Sequence, residues 1–418
     1  NKLNQLAQMK TKRNIKIIIQ GFALILTLMS CEKEQEYEYP LVYTGAVTNI
    51  TDTSAFFTAK VSCLGDYKIL ESGFIWGAHS NDNNGIKVKN SESFNEIYSL
   101  NTNEKLLPGK TFYVRAYIQT QHSTSYGREV SFESPQGQIN TGKWTQVYND
   151  DPDIGSCKYI KTSFTINNTT YLALQGDLST NGDLYSYNSE TNTFNFEFSD
   201  PIISSASYSA TYNGNAYIFC MNAFYLFNPQ TKSFTKLSVL DESENKYWVS
   251  GFIIDDNLFI GLGNTSKAER YFKDFWKYNI TADSWEQIAS FPGDYRSQGF
   301  SFSINNLGYV GGGDNLTKAF NDFWCYIPES DKWIQKESLP FQNKEYDLFG
   351  TNTEKYGYCF YQNKLYEYNP VFDIWEKMAD LDISYNLCYP HIFITGNKVS
   401  VLEVTGYEKY FKMWSYEK

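Results

Sequence analysis

Five times in the later part of this 418-residue chain, an aromatic residue is followed seven positions on by another. The pairs are Tyr187/Phe194, Phe227/Phe234, Tyr278/Trp285, Tyr326/Trp333 and Tyr368/Trp375. Turn formers lie between the members, as in Asn228-Pro229-Gln230-Thr231 and Pro328-Glu329-Ser330-Asp331. The run into each pair alternates in size, as in Asp274-Phe275-Trp276-Lys277-Tyr278. Period-two alternation broken by a tight turn specifies a hairpin and rules out a helix. Successive pairs are 40 to 51 residues apart. One hairpin cannot bury its own apolar face, so repetition at this spacing predicts sheets stacked against one another.

The repeat resembles the kelch motif, in which each unit is a four-stranded blade of a β-propeller. The family's glycine doublet stands as Gly311-Gly312-Gly313 after Tyr309-Val310. It is reduced to Gly261-Leu262-Gly263 and lost at Phe219-Cys220-Met221, Phe360-Tyr361-Gln362 and Leu402-Glu403-Val404, which makes the chain a divergent relative. The resemblance covers residues 142–418. Met413-Trp414-Ser415-Tyr416 has no outer strand after it, and Lys143-Trp144-Thr145-Gln146-Val147 has no inner strands before it. Joined, they complete a sixth blade. The expectation is a six-bladed kelch-type β-propeller zipped shut by its two ends, which leaves no open sheet edge. The rings at fixed blade positions are expected to be core.

Residues 40–134 also read as short strands, among them Ala55–Val61, Ser72–Trp76 and Thr111–Tyr117, with Asn81–Gly85 and Pro108-Gly109 as turns. Leu106-Leu107-Pro108-Gly109-Lys110-Thr111-Phe112-Tyr113 resembles the E–F region of fibronectin type III domains. The resemblance implies an Ig-like sandwich acting as a spacer or adhesion module. Phe112 stands where that family buries a Tyr, and Tyr113 follows one later, so either ring could be the buried one. Residues 135–141, polar and broken by Pro135, read as a linker. The expected fold class is all-β throughout.

The first thirty residues read as an address. Met9 is the expected start; Lys10, Lys12, Arg13 and Lys16 precede an apolar run, Ile17 to Met29, too short and interrupted to span a membrane comfortably. Leu28-Met29-Ser30-Cys31 resembles a bacterial lipobox, which implies cleavage before Cys31 and its lipidation, and hence a membrane-anchored protein. Removing residues 1–30 discards five basic side chains and no acidic ones, leaving 31 of the 36 basic against 47 acidic, a net charge of −16 in place of −11. The tether at 31–39 is acid-rich. It resembles the signal that sends some lipoproteins to the outer face of the outer membrane, so a cell-surface location is expected, with the periplasmic face as alternative. Six further cysteines (Cys63, Cys157, Cys220, Cys325, Cys359, Cys388) are widely scattered and read mainly as free buried thiols.

An acidic chain is poorly suited to nucleic acid, whose phosphates require a basic surface. Only three His are present, His79, His122 and His391, so a metal or cofactor centre built on His is not expected. No phosphate-binding glycine loop, nucleophile elbow, zinc spacing or calcium loop is apparent. The segments leading into the inner strands all hold aromatics. They supply the candidate ligand contacts Lys158, Tyr208, Trp248, Tyr295, Arg296, Tyr346 and Tyr385. Rings can stack on sugars while charges orient hydroxyls or carboxylates, but the same rings could simply pack against the next blade. Arg296 matches the position where kelch repeats often carry Arg. The expected function is a monomeric binding module for a glycan or a protein. The alternative is a sugar mutarotase or epimerase like the sialic-acid mutarotases among six-bladed kelch proteins, with Glu269, Arg270 and Arg296 as its charged groups.

Overall fold

A computed structural model describes residues 40–418 apart from 64–66, 93, 138–139, 151–157, 177–180, 242–244, 266–269, 342–347, 384–389 and 406–409. The signal segment, Cys31 and the acidic tether lie outside these residues. The chain divides into two compact units between positions 137 and 138. No helix among the described residues is long and apolar enough to cross a membrane.

The first unit holds β1 (Leu41–Thr44), β2 (Phe56–Cys63), β3 (Ile69–Gly77), β4 (Ile86–Lys89), β5 (Ile97–Asn101), β6 (Thr111–Thr120), β7 (Thr124–Tyr126) and β8 (Val130–Glu133). One antiparallel sheet runs β1-β2-β5; the other runs β4-β3-β6, with β7 and β8 both pairing β6. Phe57 on β2 meets Phe74 and Trp76 on β3 and Phe132 on β8 at ring-centroid distances of 5.4, 5.9 and 5.7 Å. The two sheets therefore share one aromatic core. Phe112 is fully buried against Trp76 and Phe132 while Tyr113 is half-buried, so Phe112 takes the interior position. Gly109 turns the chain at φ +62° and donates its N–H to Pro135, a conformation that favours glycine.

The second unit begins with β9 (Lys143–Asp150). Among the described residues it forms six four-stranded antiparallel sheets. The first contains β10 (Lys158–Ile166), β11 (Thr169–Gly176), β12 (Gly182–Asn188) and β13 (Thr193–Asp200). The second contains β14 (Ala206–Tyr212), β15 (Asn215–Cys220), β16 (Ala223–Asn228) and β17 (Ser233–Val239). The third contains β18 (Ser250–Ile254), β19 (Asn257–Gly261), β20 (Phe275–Asn279) and β21 (Ser284–Ile288). In the fourth, β22 (Phe300–Ile304) and β23 (Leu307–Gly311) are separated from β26 (Phe323–Ile327) and β27 (Lys332–Lys336) by a small hairpin, β24 (Asp314–Asn315) and β25 (Lys318–Ala319). The fifth contains β28 (Phe349–Asn352), β29 (Gly357–Tyr361), β30 (Lys364–Asn369) and β31 (Ile374–Asp380). The sixth joins β32 (His391–Thr395), β33 (Lys398–Thr405) and β34 (Tyr410–Glu417) to β9. The leading strands β10, β14, β18, β22, β28 and β32 contact one another in that order, and β32 returns to β10. A closed ring of sheets results, consistent with a β-propeller.

The seven-residue offset is the cross-strand register. Tyr278 lies opposite Trp285, Tyr326 opposite Trp333 and Tyr368 opposite Trp375, and the Tyr187/Phe194 and Phe227/Phe234 pairs are matched in the same way. In the sixth sheet, Tyr416 lies opposite Trp144, with ring centroids 5.3 Å apart, so the first and last strands of the second unit supply the missing pair. Asn188, Asn228, Asn279 and Asn369 each follow the first aromatic and accept N–H bonds from their own turn, which fixes the hairpin loop.

The second aromatic also ties each sheet to the one before it. Trp285 Nε1 donates to Ser238 O at 2.9 Å, Trp333 to Ala289 O at 2.9 Å, Trp375 to Glu337 O at 3.1 Å and Trp144 to Ala379 O at 2.9 Å. Two residues before each Trp of the third, fourth and fifth sheets stands Asp283, Asp331 or Asp373, held in the left-handed region at φ 47°, 48° and 54°. Each of these carboxylates accepts a Tyr hydroxyl from its own hairpin, at 2.7, 2.9 and 2.7 Å. Each also accepts a backbone N–H from the preceding sheet or its outer end, Ser238, Ala289 or Glu337, at 2.9, 2.9 and 3.0 Å. In the second sheet Phe227 lacks the hydroxyl and Lys232 takes the carboxylate's place, so the whole polar clasp is lost together. In the sixth, Gly142 occupies the left-handed position and Tyr416 donates instead to Thr141 O at 2.9 Å.

Loss of the glycine doublets still leaves a left-handed residue directly after the second strand of these sheets. After β23 that residue is Gly312 at φ +64°; after β15, β19 and β29 the same left-handed place is held by Met221, Leu262 and Gln362 at φ 59°, 59° and 48°. Each side chain there costs about 1–2 kcal/mol relative to right-handed backbone.

Candidate functional site

The inner strands enclose an axial cavity of about 340 Å³, and a second cavity of about 200 Å³ opens where those strands begin. Thr162, Ser301, Gly350 and His391 line both, so the second is the mouth of the first. Alternation along a strand sends every second side chain to the axis, which brings Ser163, Thr165, Ser209, Thr211, Ser303 and Thr351 to the axial wall. Among the described residues, no Asp, Glu, Lys or Arg lines the axial cavity. Several of these hydroxyls stitch neighbouring inner strands together: Ser209 Oγ lies 2.7 Å from Thr162 Oγ1 and donates to Ser163 O, and Ser301 donates to Gly251 O at 2.6 Å.

The mouth is different. Trp248 lies there at φ 55°, a left-handed conformation unusual for a bulky residue, with 41% of its surface exposed. Its carbonyl accepts the N–H of Gln298, itself left-handed at φ 57° and part of the same wall. The Lys161 ammonium sits 4.8 Å from the centroid of the Trp248 ring. Burial pulls the Lys161 amine down to about 8, so it keeps an appreciable neutral fraction near neutrality. His391 lies on the axis with Nε2 2.8 Å from Ser163 Oγ. Burial pulls its imidazole down to about 4, so the ring is neutral at physiological pH. Among the described residues its buried Nδ1 has no hydrogen-bond partner, nor has Ser207 Oγ, and both residues line the mouth.

Of the residues singled out in the sequence, Trp248 lines the mouth and Tyr208 the axial cavity. Burial pushes the Tyr208 phenol far above its usual range. Tyr295 is 54% exposed but lines neither cavity. Lys158 opens β10, with its side chain outside the described residues; Tyr346, Tyr385 and Glu269 also lie outside them. Arg270 is exposed and lies 5.0 Å from the Phe272 ring centroid.

Arg296 is 1% exposed, and its guanidinium is committed elsewhere. It bonds both carboxylate oxygens of Asp322, at 2.5 and 3.0 Å, and donates to Gly312 O and Asp294 O. It also lies over the Phe320 ring at 3.8 Å. Burial would raise the Asp322 carboxyl, but the Arg296 hydrogen bond and charge outweigh it and hold the group below its usual range. The third sheet repeats this clasp with Lys246, Asp274, Trp276 and the Phe272 ring. Both cations fasten the start of an inner strand to the third strand of their own sheet.

Lys161, Ser207, Gln298 and His391 complete the site and were not singled out as ligand contacts in the sequence. They come from four different inner-strand starts, so no local spacing connects them. Among the described residues no group of three or more His, Cys, Asp or Glu could hold a metal ion. Cys220, Cys325 and Cys359 are buried free thiols; Cys157, Cys388 and the side chain of Cys63 lie outside the described residues.

No protein-family model matches the chain, and no curated protein matches it. Among solved structures it is similar to one titled "Structure of YjhT", at 17% sequence identity and a TM-score of 0.41, over 46% of this chain and 70% of that chain.

Proposed function

We propose that this chain is a bacterial lipoprotein, anchored through Cys31 in the outer membrane and exposed at the cell surface, that binds a glycan at the mouth of a six-bladed kelch-type propeller. The first unit, with its two sheets and shared aromatic core, serves as a fibronectin type III or Ig-like spacer. The observation that carries the binding reading is the mouth itself. An exposed Trp248 ring shares the mouth lining with two buried polar atoms that have no partner among the described residues, and the mouth leads to a cavity walled by hydroxyls. Aromatic faces stack on the C–H faces of sugars, and unpaired donors and acceptors wait for hydroxyls. Calorimetric titration against a glycan panel tests it: binding that Trp248→Ala weakens about tenfold or more is expected. Silence across the panel would overturn the glycan reading and leave a protein ligand. Retention of Cys31→Ala in the membrane fraction would overturn the lipid anchor.

The hydrogen bond between His391 and Ser163 favours one second reading. A neutral imidazole beside a hydroxyl on the axis can accept and return a proton, which a sugar mutarotase or epimerase requires. Anomer-exchange rates measured by NMR, unchanged on adding the protein, would remove it.

A further inference from the structure

We infer that the mouth and axial cavity take an uncharged pyranose residue at the end of a glycan chain, inserted end-on, and select against acidic sugars. This rests on the glycan reading above and narrows it. Four observations on different residues converge.

First, the described residues that line the axial cavity offer hydroxyl and amide groups and carry no formal charge. A carboxylate or sulfate pushed into it would lose its water and meet no counter-charge, a penalty of several kcal/mol per ion even after relaxation. Sugar hydroxyls exchange water for Ser and Thr hydroxyls, which both donate and accept. Second, His391, which faces both cavities, is held neutral by burial and so offers one donor or one acceptor and no charge. Third, His391 Nδ1 and Ser207 Oγ line the same cavity and are buried with no partner among the described residues, and an unmade buried hydrogen bond is costly. A hydroxyl-rich ligand can satisfy both. Fourth, Trp248 is kept at φ 55° with its ring 41% exposed, and the Lys161 ammonium covers one face. The exposed part of the ring is open to the apolar side of a pyranose, while Lys161 lines the mouth against that ring and is not among the residues lining the axial cavity.

The combined size agrees. Cavities of about 340 and 200 Å³ that share a wall lie together in the range of about 300–1,000 Å³ for small-molecule sites, enough for a terminal sugar and part of the next. A further cavity of about 990 Å³ shares Ser303, Asn352 and Ile394 with the axial one at the far end of the inner strands, where Glu354, Lys355 and Lys418 line it.

The test uses the full chain in detergent and three probe sets: neutral trisaccharides of glucose, galactose and mannose; the same lengths ending in a uronic or sialic acid; and neutral trisaccharides blocked at each end in turn by a bulky aglycone. Affinity is measured by calorimetry and ligand-observed NMR at low and high salt. A neutral probe is expected to bind with little salt dependence and to lose affinity when one particular end is blocked. Ser207→Ala should weaken it about 3- to 10-fold, and Trp248→Ala by about tenfold or more. Trp248→Phe should recover part of that loss. Melting temperatures of the variants separate lost binding from lost folding. Binding of acidic probes alone, or affinity that collapses with salt, would overturn the neutral class and keep the glycan reading. Neutral binding unaffected by blocking either end would overturn end-on insertion. Binding of no sugar would overturn both this inference and the reading beneath it.

Discussion

Truncating Trp285 gives the sharpest test of how neighbouring sheets are held. Its indole is stacked on Phe224 at 5.5 Å with an interplanar angle of 10°, lies 5.0 Å from Tyr278, and donates to Ser238 O. The residue is half-buried, so Trp285→Ala removes roughly 100–150 Å² of buried ring, about 3 kcal/mol by area. The lost bond to Ser238 adds about 1 kcal/mol, and the lost ring pairs about 1 kcal/mol more. Water can enter at the outer edge of the ring of sheets, which recovers part of this, so a net loss of about 3–5 kcal/mol is expected. Trp285→Phe keeps most of the ring and should cost only about 1–2 kcal/mol, chiefly through the Ser238 carbonyl. Urea unfolding followed by circular dichroism reads both, with the midpoint shifting at unchanged slope. Because the protein has two compact units, the shift must appear in the transition that belongs to the second one. A midpoint for Trp285→Ala equal to that of the parent would refute the claim that these indoles join the sheets.

Two other substitutions probe buried polar groups. Arg296→Met leaves the partly buried Asp322 carboxylate without its partner and should cost about 3–5 kcal/mol, read by the same unfolding curves. Arg296→Lys should cost less, since one charge remains although the two-pronged geometry is lost. His391 binds its proton more weakly folded, at about 4, than in an unfolded chain at 6.5. Its contribution is therefore intact above about pH 6.5 and declines as pH falls towards 4, by up to about 3 kcal/mol. His391→Gln should flatten the pH dependence of the melting temperature in that window; an unchanged slope would contradict the burial of a neutral imidazole.

The ring of sheets was legible because hairpin geometry writes itself into sequence. A turn of fixed length forces Tyr278 and Trp285 into register, so a constant offset of seven survives while glycines drift. The sixth pair was legible only by counting, since Trp144 and Tyr416 stand at opposite ends of the repeat region. The role of Asp283, Asp331 and Asp373 was not, because a turn-forming Asp looks the same whether or not it reaches the preceding sheet. The site was legible in part. Trp248 and Tyr208 followed from their place before or at the start of an inner strand. Arg296 did too, but its carboxylate partner is 26 residues away, and nothing local distinguishes a clasp from a ligand contact. His391 stood out in the sequence only as a lone His; its orphaned Nδ1 is a property of packing.

The central structural claim is closure of the ring by the first and last strands of the second unit, and a designed crosslink tests it most directly. Thr145 on β9 and Ser415 on β34 are register partners in the antiparallel pair. Such partners bring Cα atoms to about 4.5–5.5 Å, within disulfide reach. Thr145→Cys with Ser415→Cys, oxidised in the folded protein and mapped by mass spectrometry, should yield a peptide linking positions 145 and 415. The account is contradicted if both thiols stay reduced, or pair elsewhere, while the protein remains folded.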